Sequence, residues 1–332
     1  MNQENYIKNI DIREDYLLKE DNLLECLLQD KTTAKNILWA TDSYEKMGES
    51  YLFQSEIKIR LITGEYGTLI QPRAIKSKEE QIYRTRVKAE VFTPLSIVKQ
   101  MNEACDTMQV TENNWQEYVA LLKLEITCGE APFIVSRYDP VSDSKELLPL
   151  TERVGFLDYK MSIVSKYYQT QEDWVKWAKI AFQSSYGYEW QGDSLLIARE
   201  NLLYTFIDYY YDKFKKIPSS ELQKEIAEII VWNIFQMDGL RYVTPMSCKI
   251  EIVTIKGVET LFGKEDDRIV EEPCAGCEKK TAQDHNGTYV KIMDWVKGEP
   301  IKFVDIVSKK NGRRHSPVVP ELLSSKSPQG VL

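Results

Sequence analysis

Apolar and polar positions alternate along EIKIRLIT (56–63) as in a half-buried strand, and TLIQPR follows after a Gly-containing turn. The charged run KSKEEQIYRTRVK (76–88) reads as a helix or connector. From about residue 90 to 245 strand and helix patterns alternate. KLEIT (123–127) is a short strand ending at CGEAP. Thr170 caps a helix in which Trp174, Ala178 and Ala181 share one face. YGYEW (186–190) is a strand, and DSLLIARENLLYTFIDYYYDKF (193–214) a long amphipathic helix with Leu195, Leu202, Phe206 and Tyr210 along one stripe. Ser219 or Ser220 caps the next helix, with Leu222, Ile226 and Ile229 inward, and NIFQMDGL (233–240) has a strand-then-turn pattern. This alternation predicts a three-layer α/β domain with a mainly parallel sheet. Beyond residue 246, CKIEIVTIKG and YVKIMDWVKGEPIKFVDIV predict β-hairpins around a Cys-containing loop. From Ser308 the Ser-, Pro-, Lys- and Arg-rich tail reads as flexible.

Composition and charge narrow the function. No apolar run is long enough to span a bilayer and the polar N-terminus has no signal-peptide core, so the expectation is a cytoplasmic protein with no membrane partner. A formal net charge of -8 does not announce nucleic acid, but phosphate binding depends on local charge. Two local basic strips exist: Lys76, Lys78, Arg84, Arg86 and Lys88, and Lys309, Lys310, Arg313 and Arg314. Either strip reads equally as a solvated surface.

An open α/β sheet binds ligands beyond the carboxyl ends of its strands. A nucleoside cofactor needs a Gly-containing turn after the first strand, a carboxylate after the second to accept ribose hydroxyl hydrogens, and a third turn to read the adenine. LEITCGEAPF (124–133), YGYEWQGD (186–193) and NIFQMDGL (233–240) supply Gly129, Glu189 and Asp238 in that order, with AEVFTP (89–94) upstream.

On these residues the chain resembles the adenine-specific DNA methyltransferases of bacterial restriction–modification systems. The type I modification subunits, the fused restriction–methylation enzymes and proteins described as restriction endonuclease subunit M are the nearest in pattern. AEVFTP resembles their G-x-F-F-T-P element, and LEITCGEAPF their D-P-A-C-G-T-G-x-F loop. YGYEWQGDSLLIARENLL resembles I-Y-G-x-D-I-D-x-x-A-x-x-I-A-R-x-N-L, and NIFQMDGL resembles N-I-x-x-G-D-S-L. The resemblance implies a Rossmann-like S-adenosylmethionine-dependent methyltransferase sheet over 85–245. An N-terminal α+β extension (1–84), a small β-rich Cys-containing segment (246–307) and a tail (308–332) would flank it. It implies that Phe92, Thr93 and Pro94 line the S-adenosyl-L-methionine, that Glu125, Cys128 and Gly129 shape its methionine side, and that Glu189 binds the ribose. Trp190 would pack on the adenine and Asp238 would accept from its amino group. DNA is the implied partner, with a target-recognition or restriction subunit beside it.

The first two loops lie roughly sixty residues apart, against about 20 in a compact nucleotide fold, and the fused restriction–methylation enzymes often carry an insertion there. Two departures qualify the resemblance. Glu130-Ala131-Pro132 replaces the family's Thr-Gly or Ser-Gly, which adds a carboxylate near the cofactor. The family holds a flipped adenine with Asn or Asp, then Pro-Pro, then an aromatic, and this chain contains no Pro-Pro pair. RYVTPMSC (241–248), with Tyr242, and MDWV (293–296), with Asp294 and Trp295, are the candidate stand-ins, so the catalytic residues are unassigned. A subunit that has lost catalysis and acts through a partner or DNA is the alternative.

Cys274-Ala-Gly-Cys277, with Cys248 upstream and His285 downstream, has the donor types of a tetrahedral zinc site. Zinc and free loop thiols are both compatible with a single CxxC pair.

Overall fold

The protein is described by a computed structural model over residues 14–19, 22–88, 93–142, 146–256, 259–260, 263–264 and 267–308. Ahead of the sheet a short helix at Glu14–Lys19 is followed by α1 (Leu23–Leu28), α2 (Lys78–Lys88), α3 (Leu95–Cys105) and α4 (Trp115–Val119). Strand β1 (Lys123–Glu125) is followed by α5 (Phe156–Tyr167) and α6 (Gln171–Gln183). Strand β2 (Ser185–Glu189) is followed by α7 (Gly192–Phe214) and α8 (Ser220–Asn233), which lead into β3 (Ile234–Gln236). All three strands are parallel in the order β1-β2-β3, with Leu124 opposite Tyr186 and Glu189 opposite Gln236. The fold is therefore mixed α/β, and each helical crossover returns the chain to the same sheet edge.

Local chemistry sets the helix starts. The Thr170 hydroxyl accepts from the Asp173 N–H at 3.1 Å, and the Ser219 hydroxyl from the Leu222 N–H at 3.3 Å. Helix α7 departs from its expected single stripe, since every residue from Gly192 to Tyr210 is buried. It runs through the molecule with α1, α5, α8 and the sheet packed around it. Burial of its polar side chains is offset where they find partners. Arg199 donates to the carbonyls of Leu27, Gln29 and Ile234, and Asn201 to the Glu130 carbonyl and the Tyr138 hydroxyl.

The strand expected over 56–63 does not form. Ile59–Leu61 is a 3-10 turn, and Glu56 makes one isolated bridge with Leu38. Ile57 and Leu61, four apart, are both buried, so one turn satisfies the apolar spacing without a ladder. Leu23, Leu27, Trp39 and Ile57 belong to the same apolar core as Leu195 and Leu203, so residues before 85 share the core of the sheet domain.

The N-terminal part also crosses the carboxyl edge of the sheet. Gln236 accepts from the Leu38 N–H and donates to the Leu38 carbonyl, both at 2.8 Å, while the Gly192 N–H donates to the Trp39 carbonyl at 2.9 Å. A Cβ at Gly192 would lie 2.0 Å from the Leu38 oxygen. Gly192→Ala is expected to destabilise the protein by about 1–3 kcal/mol through this backbone clash. Equal denaturation midpoints for the variant and the wild type would rule out the close approach.

The C-terminal segment holds short antiparallel pairs, as its pattern predicts, including Glu259–Thr260 with Gly263–Lys264. Strand β4 (Glu251–Ile255) pairs with β5 (Arg268–Glu272), helix α9 (Ala275–Lys279) follows, and β6 (Lys291–Asp294) pairs with β7 (Glu299–Lys302). The stretch FVDIV, expected to extend the second hairpin, instead lies in helix α10 (Phe303–Ser308). Val290, Ile292 and Phe303 cover the sheet face formed by Tyr188 and Phe235. Among the described residues no helix is long and apolar enough to cross a membrane.

Candidate functional site

The carboxyl edge of the sheet is built by the turns after β1 and β2. Thr127, Gly129 and Ala131 all have positive φ (46°, 53° and 64°), so the chain turns sharply within five residues. Only Gly129 adopts that conformation without a Cβ penalty, and Thr127, being β-branched, is strained there. Buried Glu125 wraps the loop by accepting from the N–H groups of Phe133 (3.4 Å) and Ile134 (3.1 Å). The Cys128 N–H donates to the Tyr188 carbonyl at 2.8 Å, which ties the loop to β2.

Glu189 joins the first two loops. One carboxylate oxygen accepts from the Gly129 N–H at 2.7 Å; the other accepts from the N–H groups of Trp190 (2.7 Å) and Gln191 (3.2 Å). Burial raises its pKa and these three N–H donors oppose the rise. Burial also raises Glu125, with Glu189 adding to the effect, and it raises the Cys128 thiol between the two carboxylates.

Trp190 is half-buried, its ring 6.2 Å from that of Phe53. Thr93 and Pro94 lead into α3, whose Asn102 amide donates to the carbonyls of Phe133 and Val154, both at 3.0 Å. Phe92 lies outside the described residues. Asp238 sits at the third turn, but one of its oxygens accepts from the N–H groups of Leu240 and Arg241 (2.9 and 3.2 Å) and the other faces the Arg241 guanidinium at 3.5 Å.

Glu130, the departure in the first loop, is turned away from the edge. Its oxygens accept from the Arg73 N–H and the Tyr138 hydroxyl, both at 2.7 Å. The first basic strip is not a solvent-facing set either. Lys76 and Arg84 are buried, and Arg84 pairs with buried Asp193 at 2.7 Å, beside the Tyr44 hydroxyl. The second strip lies outside the described residues. Asp294 and Trp295 are hairpin residues: the Asp294 carboxylate accepts from the N–H groups of Val296 and Lys297, and the Trp295 indole N–H donates to Asn233. Tyr242, with φ 60°, packs against Phe303.

A polar cleft of about 550 Å³ lies beside the end of β3, with Asp30, Lys35, Leu38, Gln236 and Thr244 among its lining residues. Gly129, Glu189 and Trp190 do not line it.

The Cys/His cluster is the second site. Cys248, Cys274, Cys277 and His285 bring their donor atoms within 4.8 Å of one another. The three Sγ atoms lie 3.6, 3.5 and 3.6 Å from His285 Nδ1. Zinc–sulfur and zinc–nitrogen bonds at the tetrahedral angle give an S···N edge of about 3.6 Å. The four side chains can therefore hold a metal such as zinc without moving apart. Burial works against Cys274 ionisation, but N–H groups of Asn286 and Cys277, with His285 and Cys248, bring its pKa down to about 6. Cys248 is pushed up to about 12 by burial and by its neighbouring thiols. The spacing identified all four residues; their convergence depends on the turn that carries His285 back over Gly276, where the Gly276 N–H donates to the Asp284 carbonyl at 2.9 Å.

The chain matches no known protein family, no curated protein and no solved structure.

Proposed function

We propose that the chain is the S-adenosylmethionine-binding part of an adenine-specific DNA methyltransferase subunit of a restriction–modification system. The observation that carries this reading is the bond from Gly129 N–H to Glu189 across the carboxyl edge. It puts the glycine turn after β1 and the carboxylate after β2 side by side, which the ribose of a nucleoside cofactor requires. A carboxylate oxygen has more than one acceptor site, so Glu189 retains capacity for ribose hydroxyls while it holds the loops. Trp190, with Phe53 beside it, offers an aromatic face for the adenine. Asp238 fits its implied role less well, because Arg241 competes for its remaining oxygen. Bound S-adenosylmethionine would supply the methyl group; the residues of this chain bind and orient it. Zinc in the Cys/His cluster would hold the C-terminal segment against the sheet.

A catalytically degenerate subunit acting through a partner or DNA is the second reading. It is favoured by the engagement of Asp294 and Trp295 in the hairpin and by the missing Pro-Pro element. Titration calorimetry separates the two in part. Wild type is expected to bind S-adenosylmethionine, and Glu189→Ala to bind it more weakly by about 1–3 kcal/mol. Equal affinities would remove Glu189 from the site, and a wild type that does not bind would sink the cofactor reading. Methyl transfer to unmodified genomic DNA by the purified chain is expected to be weak or absent; strong transfer would overturn the degenerate reading.

A further inference from the structure

Strand β1 is an edge strand: among the described residues its one strand partner is β2. The Lys123 N–H donates to the Ser184 carbonyl, so strand alternation turns the N–H and C=O of Leu124 toward the open side. Leu122, Leu124 and Ile126 are 67, 43 and 65% exposed, all on the face shared with Tyr186. The C-terminal hairpin covers that face over β2 and β3, through Ile292 against Tyr188 and Phe235. Parallel sheets are normally buried, and an apolar open edge is a template for another strand.

We infer that β1 pairs with β1 of a second copy, antiparallel about a two-fold axis through Leu124, joining two three-stranded sheets into one of six. The occupant follows from the sequence of the edge. LKLEI (122–126) is self-complementary when reversed. Leu124 faces the partner's Leu124, Leu122 faces the partner's Ile126, and Lys123 faces the partner's Glu125. The apolar pairs fall on the exposed face, a favourable cross-strand combination, while Lys123 and Glu125 on the other face keep their partners within each copy, Asp106 and the N–H groups of Phe133 and Ile134. The backbone groups of Leu124 point outward in both copies, so the central pair is a hydrogen-bonded one. A two-fold axis closes the assembly, whereas a parallel pairing of identical edges would not. The ribbon β4–β5 lacks this complementarity, for Glu251 already faces Glu272 within it. The pairing does not depend on what the carboxyl edge binds.

Sedimentation velocity on the full chain, from about 1 to 100 µM, tests the pairing. Wild type is expected to pass from monomer to dimer, and hydrogen exchange at 122–126 to slow as concentration rises. Leu124→Lys is expected to weaken the dimer at least about tenfold while melting as the wild type does. Ile252→Lys, on the equally exposed ribbon, should leave the dimer unchanged. A wild type that stays monomeric throughout, or a dimer that survives a folded Leu124→Lys, would overturn the inference. Should Leu124→Lys fail to fold, the exchange of the wild type decides alone: no concentration dependence at 122–126 refutes the pairing.

Discussion

Protein purified without a metal column is expected to carry close to one zinc per chain, and a strong chelator to lower its melting temperature sharply. Cys248, Cys274, Cys277 and His285 hold together a segment with few apolar contacts of its own, in which α9 spans only five residues. A bound ion would therefore carry much of the segment's stability. Structural zinc contributes on the order of 10 kcal/mol in small zinc-binding peptides, and even a fraction of that exceeds any single contact in the segment. Chelation should therefore raise hydrogen exchange first over 246–290, and then over β2 and β3, as Val290, Ile292 and Phe303 leave Tyr188 and Phe235. Cys274→Ser should reproduce the effect. A metal content far below one per chain, with melting unchanged by chelation, would show that the four side chains are loop thiols and a histidine.

Asp208→Ala is expected to cost about 3–5 kcal/mol, because it leaves buried charge uncompensated. Asp208, on α7, accepts from Arg153 at 2.6 Å and from Arg137 at 3.1 Å, and both guanidinium groups are buried. One carboxylate thus bonds two cations that cannot turn to water, with Asp158 also acting on Arg153. The pair Lys179–Glu225 supplies the contrast: it is just as short at 2.6 Å, but Glu225 is exposed. Glu225→Ala should change stability by less than about 1 kcal/mol. Urea denaturation of the two variants compares them directly, and similar small losses would mean that the Asp208 network contributes little.

The sheet was legible because its signals are local. Thr170 and Ser219 cap their helices through their own hydroxyls, and the three strands end where a Gly or an acidic residue follows. The Cys/His cluster was legible because donor type and spacing suffice to nominate ligands. Other features depend on contacts between distant residues. Arg84 looked like part of a basic surface, and its burial is decided by Asp193 and Tyr44 from elsewhere in the chain. Glu130 looked like a carboxylate added to the cofactor loop, but Arg73 and Tyr138 draw it away. Helix α7 was read as one-sided because Tyr, Thr, Arg and Asp occupy its other positions. A central helix tolerates residues such as Arg199 and Asp208 when they find partners, and the partners are not visible from periodicity. The 56–63 segment failed for the reverse reason: its alternation fits a strand, and the spacing of Ile57 and Leu61 fits a turn equally well.

The strap of Leu38 and Trp39 over the sheet edge also has a consequence for biosynthesis. Leu38 and Gln236 are 198 residues apart, yet each supplies the other's hydrogen bonds. At a synthesis rate of about 5–20 residues per second, the early segment waits on the order of ten seconds or more for its partner to leave the ribosome. Leu23, Leu27, Trp39 and Ile57 have no completed core to enter during that interval. Their apolar side chains stay exposed on the nascent chain for that time, and a slower ribosome lengthens the exposure.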